Sequence, residues 1–258
     1  MKALFKTALC ALGLISGTSH AGYIIDGSIG DWGLHRTGHA SDWTPSSYVN
    51  EYTVEDQTGG LGTYLTPGYG GQRYDAEAIY LDWDASNLYI LLVTGLPSNN
   101  TPYAPGDFAI DFGKNGTWDF GIETTGNNGK TKGGVYKNVT WGKGLWNTID
   151  PTSILSGTKI GQASLVYTTT PINNMGQWAS DQHYVIETSI PVSAFGAFWG
   201  TSGPTQSADI WWTMNCGNDV IKVDPPAGVP EPGALGLVAL GLAGLTLQRR
   251  RTPLAVRS

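Results

Sequence analysis

The run from Ala76 to Thr94 leaves little choice of local structure. Ala76, Ala78, Tyr80 and Asp82 alternate with Glu77, Ile79, Leu81 and Trp83, the period-two pattern of a strand. Asp84-Ala85-Ser86-Asn87 is a turn sequence. Leu88 to Thr94 (LYILLVT) is a continuous apolar run of the kind found in a buried sheet. Together they predict a hairpin. Similar signals recur at Tyr48–Val54, Asp107–Phe112, Trp118–Thr124, Gly134–Val139, Ala163–Thr169, His183–Ile190, Ala208–Asn215 and Val220–Val223. Pro191 to Phe195 reads as one helical turn. Ser98 to Pro105, Gly142 to Gly161 and the Gly-rich stretch Thr53 to Arg73 read as loops. The chain has 36 Gly and 10 Trp, and charged residues make up only 14%. About ten short strands between Gly/Asn/Pro turns predict an all-β fold: a single antiparallel β-sandwich, jelly-roll-like.

The two ends are of another kind. Met1 to Ala21 has Lys2 and Lys6, an apolar stretch Leu9 to Ile15, and the small-x-small site Ser19-His20-Ala21, the three parts of a secretory signal peptide. Leu9 before Cys10 argues against a lipoprotein leader. At the other end, Pro230-Glu231-Pro232 precedes an uncharged apolar run, Gly233 to Leu247, and then Arg249, Arg250 and Arg251. Fifteen apolar residues at about 1.5 Å each span roughly 22 Å, short of the roughly 30 Å hydrocarbon core. Flanking residues complete a short span, with the arginines on the cytoplasmic side. The predicted organisation is therefore a signal segment at 1–21 with its helix, a β-sandwich at 22–226, and a tail at 227–258 with a hydrophobic helix.

The order Pro-Glu-Pro, apolar helix, Arg cluster resembles the PEP-CTERM sorting signal of exported bacterial proteins. The resemblance implies recognition of Pro230, Glu231 and Pro232, with Arg249, Arg250 and Arg251, by an exosortase after Sec export. It also implies transient inner-membrane anchoring, removal of the tail, and transfer to the cell surface or matrix. A plain C-terminal membrane anchor is the alternative. Within the middle segment, Ile25-Asp26-Gly27-Ser28-Ile29-Gly30-Asp31-Trp32 and the "DAEAIYLDWD…NLYILLVTG" hairpin resemble family-nine carbohydrate-binding modules and DOMON-like sandwiches. That resemblance implies structural Ca²⁺, with Asp26 and Asp31 as candidate ligands, and sugar binding in some members.

Without its ends the chain holds nine Lys and Arg against twenty Asp and Glu. Nucleic acid needs a basic footprint, which this segment lacks. Cys10 lies in the leader, so Cys216 is the one cysteine of the mature segment and reads as a buried small hydrophobe.

Three sets of residues are candidates for chemistry. Asp111, Asn115 and Asp119 lie within nine residues among glycines, which suits a Ca²⁺ site and equally a hairpin turn on Asn115-Gly116. Most of the tryptophans read as core. Trp43, Trp141, Trp146 and Trp178 fall in loop-like segments or at their edges, where exposed faces stack on sugar rings. Carboxylate pairs such as Asp82 and Asp84, on one strand face, are what a glycoside hydrolase needs, but an acidic β domain supplies them by chance. His35 and His39 are not in an HExxH setting, and no Gly-x-Ser-x-Gly elbow or P-loop occurs. The sequence therefore points to a non-enzymatic, exported surface or matrix protein. Its sandwich either binds glycan or is purely structural, and a secreted glycoside hydrolase is the remaining alternative.

Overall fold

A computed structural model describes residues 22–55, 70–145, 151–176 and 181–228. Thirteen strands occur among them: β1 Glu51–Val54, β2 Ala76–Trp83, β3 Asn87–Thr94, β4 Phe108–Phe112, β5 Phe120–Ile122, β6 Gly134–Trp141, β7 Ile154–Gln162, β8 Ser164–Tyr167, β9 Tyr184–Pro191, β10 Trp199–Gly200, β11 Gly203–Pro204, β12 Ala208–Thr213 and β13 Val220–Val223. One sheet has the order β1-β2-β3-β9-β8 and the other β13-β12-β4-β5-β6-β7. Every pairing is antiparallel. β10 and β11 form a separate two-stranded strap.

The sandwich closes because each sheet supplies one apolar face. Ile79, Leu81, Leu88, Ile90, Leu92 and Ile186 of the first sheet meet Phe108, Ile110, Phe120, Ile122, Ile210 and Trp212 of the second. Phe195, from the 3-10 helix Val192–Phe198, plugs the end where Phe112 and Phe120 converge. Burial of these side chains contributes on the order of 1.5–3 kcal/mol each.

A second core lies on the outer face of the first sheet. Ala78, Tyr80, Leu91, Val93 and Val185 are covered there by Tyr23, Ile29, Trp32, Leu34, Trp43 and Val49 from the N-terminal segment. The unbroken apolar run of β3 follows from this: its strand is covered on both faces.

The β2–β3 hairpin and its turn agree with the sequence, with Asp84 N–H donating to the Asn87 carbonyl at 3.0 Å. Other expectations need correction. Alternation in β2 is broken by a bulge between Ala76 and Ala78. Ala76 therefore joins Ile79 and Leu81 in the inner core instead of siding with Ala78. The stretch read as a loop from Gly142 contains β7, an edge strand paired to β6 with three register shifts. Its sequence ILSGTKIGQ is mostly exposed and carries no alternation to betray it. β5 is shorter than the expected Trp118–Thr124, running only from Phe120 to Ile122. The signal and tail helices lie outside the described residues.

Candidate functional site

The N-terminal turn is organised by one buried carboxylate. Glu187, on β9, accepts from Trp32 Nε1 at 2.9 Å, from the Gly27 amide at 2.8 Å and from the Asp26 amide at 3.0 Å. Burial pushes its carboxyl up to about 7, against the lowering pull of these bonds. Asp26 itself is exposed and accepts from the Ser28 amide at 2.7 Å, and Asp31 Oδ2 accepts from the Ile24 amide at 3.1 Å. The Asp-Gly…Asp-Trp pattern thus builds a turn around Glu187.

The second acidic set caps a hairpin. Asp111 accepts from the Asn115 and Gly116 amides at 3.1 and 2.7 Å, Asp119 accepts from the Phe112 amide at 2.8 Å, and Asn115 Oδ1 accepts from the Thr117 amide at 2.8 Å. Lys114, at φ +50, turns the chain. Its ammonium lies 3.1 Å from Asp209 and 3.2 Å from Asp224. Among the described residues no group of three or more His, Cys, Asp or Glu is arranged to hold a metal ion. Asp82 and Asp84 are each engaged in hydrogen bonds within the fold. Asp82 accepts from Tyr23 Oη at 2.7 Å, and Asp84 caps its turn through the Ser86 and Asn87 amides.

Of the four tryptophans expected to stand free in loops, two lie among the described residues. Trp43 is 2% exposed, so the expectation that it stands free is corrected: it is part of the second core, edge-on to His183 at 5.3 Å. Trp141 ends β6, half-buried, with its ring over Gly121. A Cβ at Gly121 would stand 2.7 Å from that ring and 2.9 Å from Ile154. Trp146 and Trp178 lie outside the described residues. Cys216 is free and fully buried, and burial raises its thiol pKa.

An aromatic ledge that the sequence reading did not single out lies on β1. Tyr52 is 47% exposed and stands directly opposite Tyr80. The two rings are near-parallel, 18° apart with centroids 6.0 Å apart. Tyr80 is fully buried and donates to the Trp43 carbonyl at 2.9 Å, so the ring beneath Tyr52 is fixed. Exposed Asn50 flanks it and donates to Asp82. Tyr48 and Val54, at 37% and 36% exposure, lie on the same stretch of chain. The signal was present in the alternation of Tyr52 and Val54 with Glu51 and Thr53. A search confined to tryptophans in loops passes over it.

At the far end of the first sheet, polar groups are buried together. His183 Nε2 stands 3.3 Å from Glu77 Oε1, both side chains fully buried. Glu77 Oε1 also accepts from Gln72 Nε2 at 2.6 Å. Glu77 Oε2, His183 Nδ1 and Trp43 Nε1 have no hydrogen-bond partner. Asp219 nearby is raised to about 6 by burial, with Glu77 adding to the shift, and Glu55 to about 7 by burial and then by Asp219.

The last described residues run from β13 along β12 and β11. Ala208 N–H donates to the Pro225 carbonyl at 3.0 Å and Gly228 N–H to the Pro204 carbonyl at 2.7 Å. No helix among the described residues is long and apolar enough to cross a membrane. Residues 228–251 match the PEP-CTERM protein-sorting motif. The match spans Pro230, Glu231, Pro232 and Arg249 to Arg251, all outside the described residues. No curated protein matches the chain in sequence. The resemblance of the middle segment to carbohydrate-binding and DOMON-like modules is not borne out. The sorting motif is one recognised by exosortase, and it marks an exported protein with cell-surface or extracellular placement.

Proposed function

We propose that this protein is a non-catalytic β-sandwich of the bacterial surface or extracellular matrix, which holds polysaccharide on the Tyr52 ledge after the Sec machinery and an exosortase have delivered it. In this reading the tail anchors the chain in the inner membrane until it is removed.

The observation that carries the reading is the half-exposed ring of Tyr52 backed in parallel by the fixed ring of Tyr80. Sugar rings stack on such faces through their C–H groups. Stacking on a fixed ring restricts Tyr52, so less conformational entropy is lost when a ligand arrives, which favours binding. Asn50 and Tyr48 supply polar groups beside it. The domain's excess of acid over base fits a neutral glycan better than an anionic one. Asp82 and Asp84 are engaged in holding the fold, which supports a role in binding rather than hydrolysis.

The cellular test is fractionation of a polysaccharide-producing host expressing wild-type protein or Tyr52→Ala. Retention of the wild type in the matrix and loss of the variant to the medium is the expected result. Equal retention of both would leave a purely structural role.

A further inference from the structure

The Pro-Glu-Pro of the sorting motif begins two residues beyond a point where the chain is bolted to the sandwich. Gly228 donates its N–H to the Pro204 carbonyl at 2.7 Å. Its Cα lies so close to the strap that a Cβ there would stand 2.5 Å from the Ser202 carbonyl oxygen. Only Val229 separates this residue from Pro230.

The strap is itself anchored in the body. Gly203, at φ +112, packs against the Trp83 indole, where a Cβ would meet Nε1 at 2.8 Å. Trp83 packs edge-on to Trp199, with centroids 6.1 Å apart. Thr205 N–H closes the strap on the Phe198 carbonyl at 2.9 Å. The described chain also starts at this end. Gly22 abuts Tyr89, whose hydroxyl donates to Asp84 in the β2–β3 turn. Gly22 and Gly228, the first and last described residues, therefore lie at one pole of the sandwich.

We propose that the β10–β11 strap is a latch on tail removal: by holding Gly228, it denies a membrane-embedded endopeptidase the extended chain just ahead of Pro230-Glu231-Pro232 until the contact opens. The proposal rests on the exosortase reading above.

Extended-peptide recognition uses the main-chain hydrogen bonds of the peptide. At Gly228 that donor is already committed to the Pro204 carbonyl, and its Cα faces the Ser202 carbonyl. When opening and closing are fast relative to cleavage, the rate of proteolysis follows the population of the open form. The latch is weak by construction. The cleft beside it, about 480 Å³, is lined by residues 200–205 with Ala227 and Gly228, all small or uncharged. One backbone hydrogen bond and van der Waals contact are what must open, which sets the expected effect at about threefold to tenfold in rate.

The test follows tail loss in the full chain, by pulse-chase and intact mass, in a bacterium that carries an exosortase. Three proteins are compared: wild type, a variant with a six-residue Gly-Ser insertion after Gly228, and Gly228→Ala. The insertion frees the motif without touching the sandwich; the substitution displaces the chain without lengthening it. Both variants are expected to lose the tail about threefold to tenfold faster than wild type. A wild-type rate in either one overturns the latch. Absence of tail loss in all three overturns the exosortase reading, and the latch with it.

Discussion

Trp32 Nε1 donates to Glu187 Oε1 at 2.9 Å across 155 positions of sequence, and this bond ties the N-terminal layer to the first sheet. Glu187 is fully buried, and the N–H groups of Asp26 and Gly27 complete its shell. Its carboxyl rises from 4.5 to about 7, chiefly through burial. Burial likewise takes Glu55 from 4.5 to about 7 and Asp219 from 3.8 to about 6. A group raised in the folded state binds its proton more tightly there than in the unfolded chain. Its contribution is full below the unfolded value and is lost as pH climbs through the folded one. Melting temperature is therefore expected to be higher at pH 5 than at pH 8. Glu187→Gln should flatten part of that slope and cost about 1–3 kcal/mol, because an amide N–H₂ then faces backbone donors. Thermal melts across this range check it; a profile that rises toward pH 8 contradicts it.

Trp141 is held by the absence of a side chain at Gly121. Gly121→Ala forces a methyl against the indole and Ile154, at 2.7 and 2.9 Å. Overpacking of this kind is expected to destabilise by about 1–3 kcal/mol. Urea unfolding followed by tryptophan fluorescence reads both the midpoint and the displaced ring. An unchanged midpoint would place Trp141 elsewhere.

The β4–β5 turn tests the cation expectation. Asp111 and Asp119 already accept backbone N–H groups. Asp111→Ala leaves two donors without their acceptor and is expected to cost about 1–3 kcal/mol. The loss should be equal in Ca²⁺ and in EDTA, and the wild-type melting temperature should not respond to EDTA. A Ca²⁺-dependent rise that Asp111→Ala abolishes would establish a metal site there.

Much of the sandwich was legible because its central strands carry strong local signals. β2 and β3 announce themselves by alternation, an Asp/Asn turn and an apolar run, and β13 matches its predicted bounds. What stayed hidden depends on tertiary context. β7 is an exposed edge whose pairing owes more to β6 than to its own side chains. The bulge at Ala76/Ala78 swaps faces within an apparently regular strand. The second core turned Trp43 inward, since nothing in the loop sequence around it shows that β3 needs a cover on both faces. Glu187, in an ordinary strand sequence, gives no local hint that it organises a turn 160 positions away. The sorting motif was readable because its order of residues is itself the signal, while the pinning of Gly228 beside it is a property of the fold.

The most direct test of the account is a binding isotherm of residues 22–228 on purified host exopolysaccharide, for wild type and Tyr52→Ala, with circular dichroism to confirm that both are folded. The account predicts saturable binding by the wild type and at least a tenfold loss in the variant, about 1.4 kcal/mol. Equal affinity of the two folded proteins, or no binding by the wild type, would contradict it.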